Sequence, residues 1–254
     1  STNITGGSPA SDTLIFSEDV SNLYGHQVKI IYKNNAAHDV YGIYAAADSK
    51  VLTSGVIGDI PDDLTAADTS AEINDVTYRF RTTTGNTPAD VDIYYYLSGN
   101  TNVDITGLEN KTTTQRVEYT FELIDNDGDN RANCVMVYPF TVEKVTYVGT
   151  SSITLDSSVG SKDLEDDINV YEGIAKNDYV ARTAGTYTLD GKDSVAKLDV
   201  ITGTVDAMRD GDEAQIDGVW YAFTDAYTGG TALDEDVNVG DTVVLQVVNG
   251  YYVD

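Results

Sequence analysis

Residues 116–148 read RVEYTFELIDNDGDNRANCVMVYPFTVEKVTYV, and the alternation within this stretch decides the fold class. On both sides of its acidic centre, Val, Tyr, Phe, Leu, Ile and Thr recur with period two, the spacing that sends successive side chains to opposite faces of a strand. The centre, DNDGDNRAN (125–133), sets three aspartates at alternate positions around Gly128. Like charges packed this closely repel, so a compact loop of this composition calls for something to neutralise them.

Outward from this stretch the pattern continues. HQVKIIYK (26–33), DVYGIYAA (39–46), DVTYRFRT (75–82) and DVDIYYYL (90–97) are rich in β-branched and aromatic residues and have strand character. KNNAAHD, TTTGNTPAD and SGNTN supply turn chemistry between them. The second half repeats the theme in EGIAKNDYVART, TYTLDG, SVAKLDVITGTVDAM, AQIDGVWYAFT and DTVVLQVVNGYYVD. The one plausible helical turn is DIPDDLTAAD (59–68), with Pro61 early and acids in its first turn. The expectation is an all-β protein of short antiparallel strands, of sandwich or small-barrel type. From residue 146 the run TYVGTSSITLDSSVGSKDLEDD loses aromatic residues and gains Ser, Gly and Asp. That shift predicts two domains, residues 1–150 with the acidic loop and residues 151–254 of small-barrel type. Segments at 18–32, 166–180 and 235–248 share an acid, an Asx or Ser turn, a Gly and an alternating strand, and read as loose recurrences of one β building block.

The 254 residues carry 15 Lys and Arg against 42 Asp and Glu, a net charge of −27. That balance argues against nucleic acid and anionic lipid, which need a basic surface, and leaves cations, cationic polymers and neutral glycans. No stretch approaches the ~20 apolar residues that span a bilayer, so no membrane insertion is expected. Cys134 is the sole cysteine, which excludes an intrachain disulfide and a thiolate metal site. Within CVMVY it reads as a small buried hydrophobe. Without an initiator Met or a basic segment leading into an apolar run, the chain reads as a mature protein or an excised fragment. Scarce cysteine, acidity and abundant Thr, Tyr, Asn and Gly suit a bacterial exported protein.

In oxygen-rich calcium loops, carboxylates at positions 1, 3 and 5 converge on one ion, joined by a backbone carbonyl at 7 and often an oxygen at 9. Counted from Asp125, these are Asp127, Asp129, the carbonyl of Arg131 and Asn133. The glycine stands at position 4, not 6, and position 12 is Met136, not Glu. Strand character on both flanks makes the loop similar to the calcium loops of integrin-type propeller repeats and of many bacterial surface proteins. Magnesium suits it less, because it holds its water and rarely uses all-protein cages. The alternative is a plain Asp-Gly hairpin whose side chains cap their own backbone amides. A second acidic turn, MRDGDEAQIDG (208–218) with Asp210, Asp212 and Asp217, lacks the third alternating acid and reads as a tight hairpin.

Catalysis finds no positive signal. His26 and His38 have no triad or zinc spacing, and no nucleophile-elbow, metalloprotease or phosphate-loop motif occurs. With 42 acids, a glycosidase-type carboxylate pair cannot be singled out. Tyr94, Tyr95, Tyr96, Trp220 and Tyr221 invite a sugar-stacking reading, yet aromatic residues equally serve cross-strand pairing, and adjacent ones point to opposite faces.

Taken together, LYGHQVKIIYKNNAAHDVYGIY, FELIDNDGDNRANCVMVYPFTVEKVTYVG, VITGTVDAMRDGDEAQIDGVWYAF and VNVGDTVVLQVVNGYYVD resemble the β-rich body of Firmicutes S-layer homology domain (SLH) proteins. There a strand leads into an acidic D-x-D-G-D loop, then a strand and a K-V-T-x-V segment; later come a T-G-x-V hairpin, an I-D-G-x-x-Y turn and a V-G-D strand. The resemblance implies a secreted protein at the bacterial cell surface or cell wall, self-associating into an array or contacting cell-wall or host glycan. The family's anchoring triplet is not among these residues. Its loop usually has Gly after the third Asp and Asp at position 9, where Asn130 and Asn133 stand here, which implies a weaker grip on the ion. The function expected is that of a non-enzymatic structural protein stiffened by calcium. The second reading is an adhesin or carbohydrate-binding module of a secreted protein.

Overall fold

The computed structural model describes residues 20–32, 40–65, 67–82, 90–100, 117–157, 160–209, 212–233 and 236–254. His38 and Asp210 lie outside the described residues. The first strands are β1 (Val28–Tyr32), β2 (Val40–Ala45), β3 (Lys50–Val56), β4 (Ser70–Ile73), β5 (Val76–Phe80), β6 (Asp92–Tyr95) and β7 (Gly99–Asn100). Then follow β8 (Tyr119–Asp125), β9 (Arg131–Ala132), β10 (Cys134–Pro139), β11 (Thr141–Val148), β12 (Ser152–Leu155), β13 (Lys162–Asp163) and β14 (Ile168–Asn169). The last are β15 (Tyr179–Thr183), β16 (Asp193–Lys197), β17 (Asp199–Arg209), β18 (Glu213–Ile216), β19 (Val219–Phe223), β20 (Thr242–Val248) and β21 (Tyr251–Tyr252). The protein is all-β: among the described residues no α-helix forms, and none is long and apolar enough to cross a membrane.

Two sequence expectations fail locally. The helical turn at 59–68 does not form, because the 3-10 turn Ile57–Asp59 ends where Pro61 holds Ile60 extended at φ −81° and ψ 131°. Asp68 then accepts the N–H and hydroxyl of Thr65, closing a polar turn in its place. TYTLDG is not a strand either. The 3-10 turn Gly185–Tyr187 starts it, and Thr188 donates its hydroxyl to the Lys192 carbonyl and its N–H to the Gly185 carbonyl, satisfying them locally.

A five-stranded sheet runs β3-β8-β10-β6-β7. Register follows the alternation: β8 and β10 pair antiparallel from Ile124 opposite Cys134 to Tyr119 opposite Pro139. One face, with Phe121, Leu123, Val135, Val137 and Ile93, packs on Ile73 and Phe80 of the three-stranded sheet β4-β5-β9. The other carries Ile124, Cys134 and Met136 under Tyr24, Tyr94, Tyr96 and Tyr138. A one-residue slip would exchange the two sets, and with each large side chain contributing about 1.5–3 kcal/mol by burial, the register is firmly held.

Phe140 alone separates β10 from β11, and with it the chain enters a six-stranded sheet, β13-β12-β11-β15-β16-β14, packed on Val145, Ile153, Leu155 and Val180. Leu198 alone separates β16 from β17, which opens a closed barrel, β17-β18-β19-β21-β20, filled by Val205, Ile216, Leu245 and Tyr252. Asp217–Gly218 joins β18 to β19 with φ of 51° and 80°, the left-handed pair that two-residue hairpins require. Val117, Val142, Leu198 and Val248 pack together where the three regions meet. The division expected at residue 150 meets the β11–β12 hairpin, whose turn is closed by Gly149 N–H to Ser152 O at 2.8 Å. The sheets change at Phe140 and Leu198 instead. Four strand pairs, β6/β10, β5/β9, β14/β16 and β19/β21, are parallel within this mainly antiparallel set.

Candidate metal centre

The DNDGDNRAN loop connects β8 to β9 and β10. Asp125, the last residue of β8, is fully buried, and its carboxylate organises the turn. One oxygen accepts the N–H groups of Asp127 at 3.1 Å and Gly128 at 2.7 Å; the other accepts that of Asn130 at 2.8 Å. Burial pushes the Asp125 carboxyl up, but these backbone donors outweigh it and hold the group below its usual range. Asp129 caps the N–H of Arg131 at 2.8 Å, and the Arg131 guanidinium stands 3.9 Å from its second oxygen. Gly128 has φ 81°, and a Cβ there would meet Asp48 at 2.8 Å, so the turn needs glycine on both counts.

Carboxylate oxygens of Asp125, Asp127 and Asp129 lie within 4.8 Å of one another. Burial, and next the charge of Asp129, push the Asp127 carboxyl above its usual value. A carboxylate offers about four lone-pair sites, of which Asp125 uses three on backbone N–H groups, and it also meets the Asp127 carboxyl. Asn133, at the base of the loop, accepts the Asn126 N–H at 3.1 Å and closes the hairpin by donating to Ile124 O at 3.0 Å. The structure therefore brings together the three aspartates, while Asn133 braces the loop from below and Arg131 stands beside Asp129. In donor chemistry the set suits a hard cation, being oxygen throughout.

Three residues absent from the sequence reading fix the loop. Asn126 accepts the Gln27 N–H and the Ser49 hydroxyl, each at 2.7 Å, and donates to Gly25 O at 2.9 Å. Lys50 donates to the Asn130 side chain at 2.6 Å. Asp48 rests against Gly128. His26 belongs to the same support, its Nδ1 2.7 Å from the Ser49 hydroxyl. Asp217, by contrast, serves the β18–β19 turn.

A second concentration of charge sits on the six-stranded sheet. Glu143 of β11 is 1% exposed and pairs with Arg182 of β15, which reaches Asp193 of β16 at 3.2 Å; Lys162 of β13 meets Asp193 at 3.0 Å. Burial pushes Asp193 up, but Lys162, the Gly185 N–H and Arg182 together lower it.

The aromatic candidates divide as alternation requires. Tyr95 packs toward the main core, 6.2 Å edge-on from Tyr119, while Tyr94 and Tyr96 lie on the opposite face. Trp220 is covered by the Arg209 guanidinium 4.4 Å above its ring, and Tyr221 packs on the barrel core. Cys134 is buried, which pushes its thiol up to about 12 and leaves it unreactive at neutral pH. Comparison with protein-family models, curated proteins and solved structures gives no match.

Proposed function

We propose that this chain is a non-enzymatic structural β protein of a bacterial cell surface, related to S-layer proteins, whose β8–β10 hairpin is stiffened by calcium. The observation that carries the reading is the convergence of Asp125, Asp127 and Asp129 within 4.8 Å on a hairpin whose strands belong to the central sheet. The ion would take its ligands from these carboxylates, the Arg131 carbonyl and Asn133. Each aspartate pair repels by about 1 kcal/mol when water screens it, and a divalent cation converts that repulsion into attraction. Extracellular calcium, in the millimolar range, suits a loop in which asparagines replace some of the possible acids. The supports are the anionic surface, the all-β architecture and the resemblance of the loop and its flanking strands to the SLH family.

Calcium is expected to raise the melting temperature, and Asp127→Ala to abolish the rise while leaving the far-ultraviolet circular dichroism unchanged. A melting curve indifferent to both calcium and EDTA would remove the reading.

A further inference from the structure

Where the five-stranded sheet meets the six-stranded one, a row of side chains crosses three neighbouring strands. Thr120 and Tyr138 face each other across β8 and β10, and Tyr96 stands just past β6, its N–H bonded to Val137 O at 2.9 Å. Thr183, ending β15, and Tyr187, in the 3-10 turn, join them around a cleft of about 300 Å³. Pro139 and Phe140, the link between the sheets, complete it. No described lining residue carries a charge, in a protein of net charge −27.

We propose that this cleft binds a pyranose ring of a neutral glycan. The rings of Tyr96 and Tyr138 lie 5.2 Å apart and tilted by 36°, and a tyrosine joins an apolar ring face to a polar tip, as a sugar joins C–H faces to hydroxyls. Tyr138 donates to Glu122 at 2.7 Å, which leaves its oxygen free to accept. Among the described residues, the hydroxyls of Thr120, Thr183, Tyr96 and Tyr187 have no hydrogen-bond partner, so they are available to a ligand. Charge decides the class. Without a cation among the described lining residues, and inside a strongly anionic protein, acidic sugars and phosphates are repelled.

An adjoining cleft of about 450 Å³ shares Thr120 and Tyr138 and adds Glu122, Asp59, Asn249 and Tyr251. Their carboxylate and amide oxygens accept from sugar hydroxyls, so the two clefts together accommodate more than one ring. A proline-rich peptide also uses aromatic walls, but its residues offer those acceptors no hydroxyl donors. The inference does not depend on an ion in the aspartate loop.

The test titrates the full chain with neutral tetrasaccharides of glucose, mannose and N-acetylglucosamine, followed by calorimetry with and without EDTA. At least one is expected to bind with a millimolar or tighter Kd in both conditions. Tyr96→Ala and Tyr187→Ala should each weaken it about tenfold or more, Tyr96→Phe less, and exposed Tyr147→Ala not at all. Thr183→Arg, which fills the cleft with a charged chain while retaining both tyrosines, should abolish binding, and circular dichroism verifies that each variant is folded. The proposal is overturned by absence of binding to all three sugars, by unchanged affinity in Thr183→Arg, or by capture of a proline-rich peptide in preference to any sugar.

Discussion

The six-stranded sheet and the aspartate loop both crowd carboxylates together, and they differ in what answers the charge. On the sheet, Glu143 and Asp193 meet the chain's own cations, Arg182 and Lys162, with Glu143 almost wholly out of water. In the loop, Asp125 is answered by backbone N–H groups, Asp127 by the backbone of Asp129, and Asp129 by the Arg131 N–H with the Arg131 guanidinium at the margin of ion-pair distance. The first arrangement carries its own counter-charges, although Glu143 Oε2 is buried with no hydrogen-bond partner among the described residues; the second leaves a place for a guest. A net charge of −27 conceals this distinction, because the 15 basic residues are not spread evenly over the acids.

The largest effect belongs to the sheet. Arg182→Met strands Glu143 in the interior and is expected to destabilise the protein by about 3–5 kcal/mol in urea titration, whatever the calcium level. A loss of under about 1 kcal/mol would mean that the pair is not the closed unit described. Next comes Asp125→Ala, which removes the acceptor of three loop N–H groups; about 2 kcal/mol is expected, partly recovered in Asp125→Asn.

Acid should separate the two regions. Asp125 and Asp193 have folded values below the usual carboxylate range, so their contribution is present above about pH 4 and lost as pH falls through those values. Asp127 is shifted the other way and takes its proton earlier on the descent. The calcium-induced rise in melting temperature should therefore disappear at a pH where the ion-paired sheet still stands. Simultaneous loss of both would contradict the comparison. The smallest effect is Asp127→Asn without calcium, a change within about 0.5 kcal/mol and toward greater stability, since it relieves repulsion at an exposed position.

Much of this architecture could be read from residue order. Period-two alternation located β1, β5, β8 and β10, and the D-x-D-G-D spacing selected the three aspartates that converge. Lys50–Val56 has a weak strand signal because Thr53, Ser54 and Gly55 interrupt its apolar residues, yet it pairs along β8. The joints at Phe140 and Leu198 were hidden for the opposite reason: alternation continues on both sides, so two strands in different sheets look like one run. Asn126 carried no signal either. Its partner Gln27 lies 99 residues away, and a side chain chosen for so distant a contact leaves no local pattern.

Those two joints have a mechanical consequence. A tug along the chain passes from the five-stranded sheet to the next through Phe140, and into the barrel through Leu198, with no slack segment to unspool first. Load would then fall on the strand ladders themselves from the first ångström of extension, as befits a girder more than a tether.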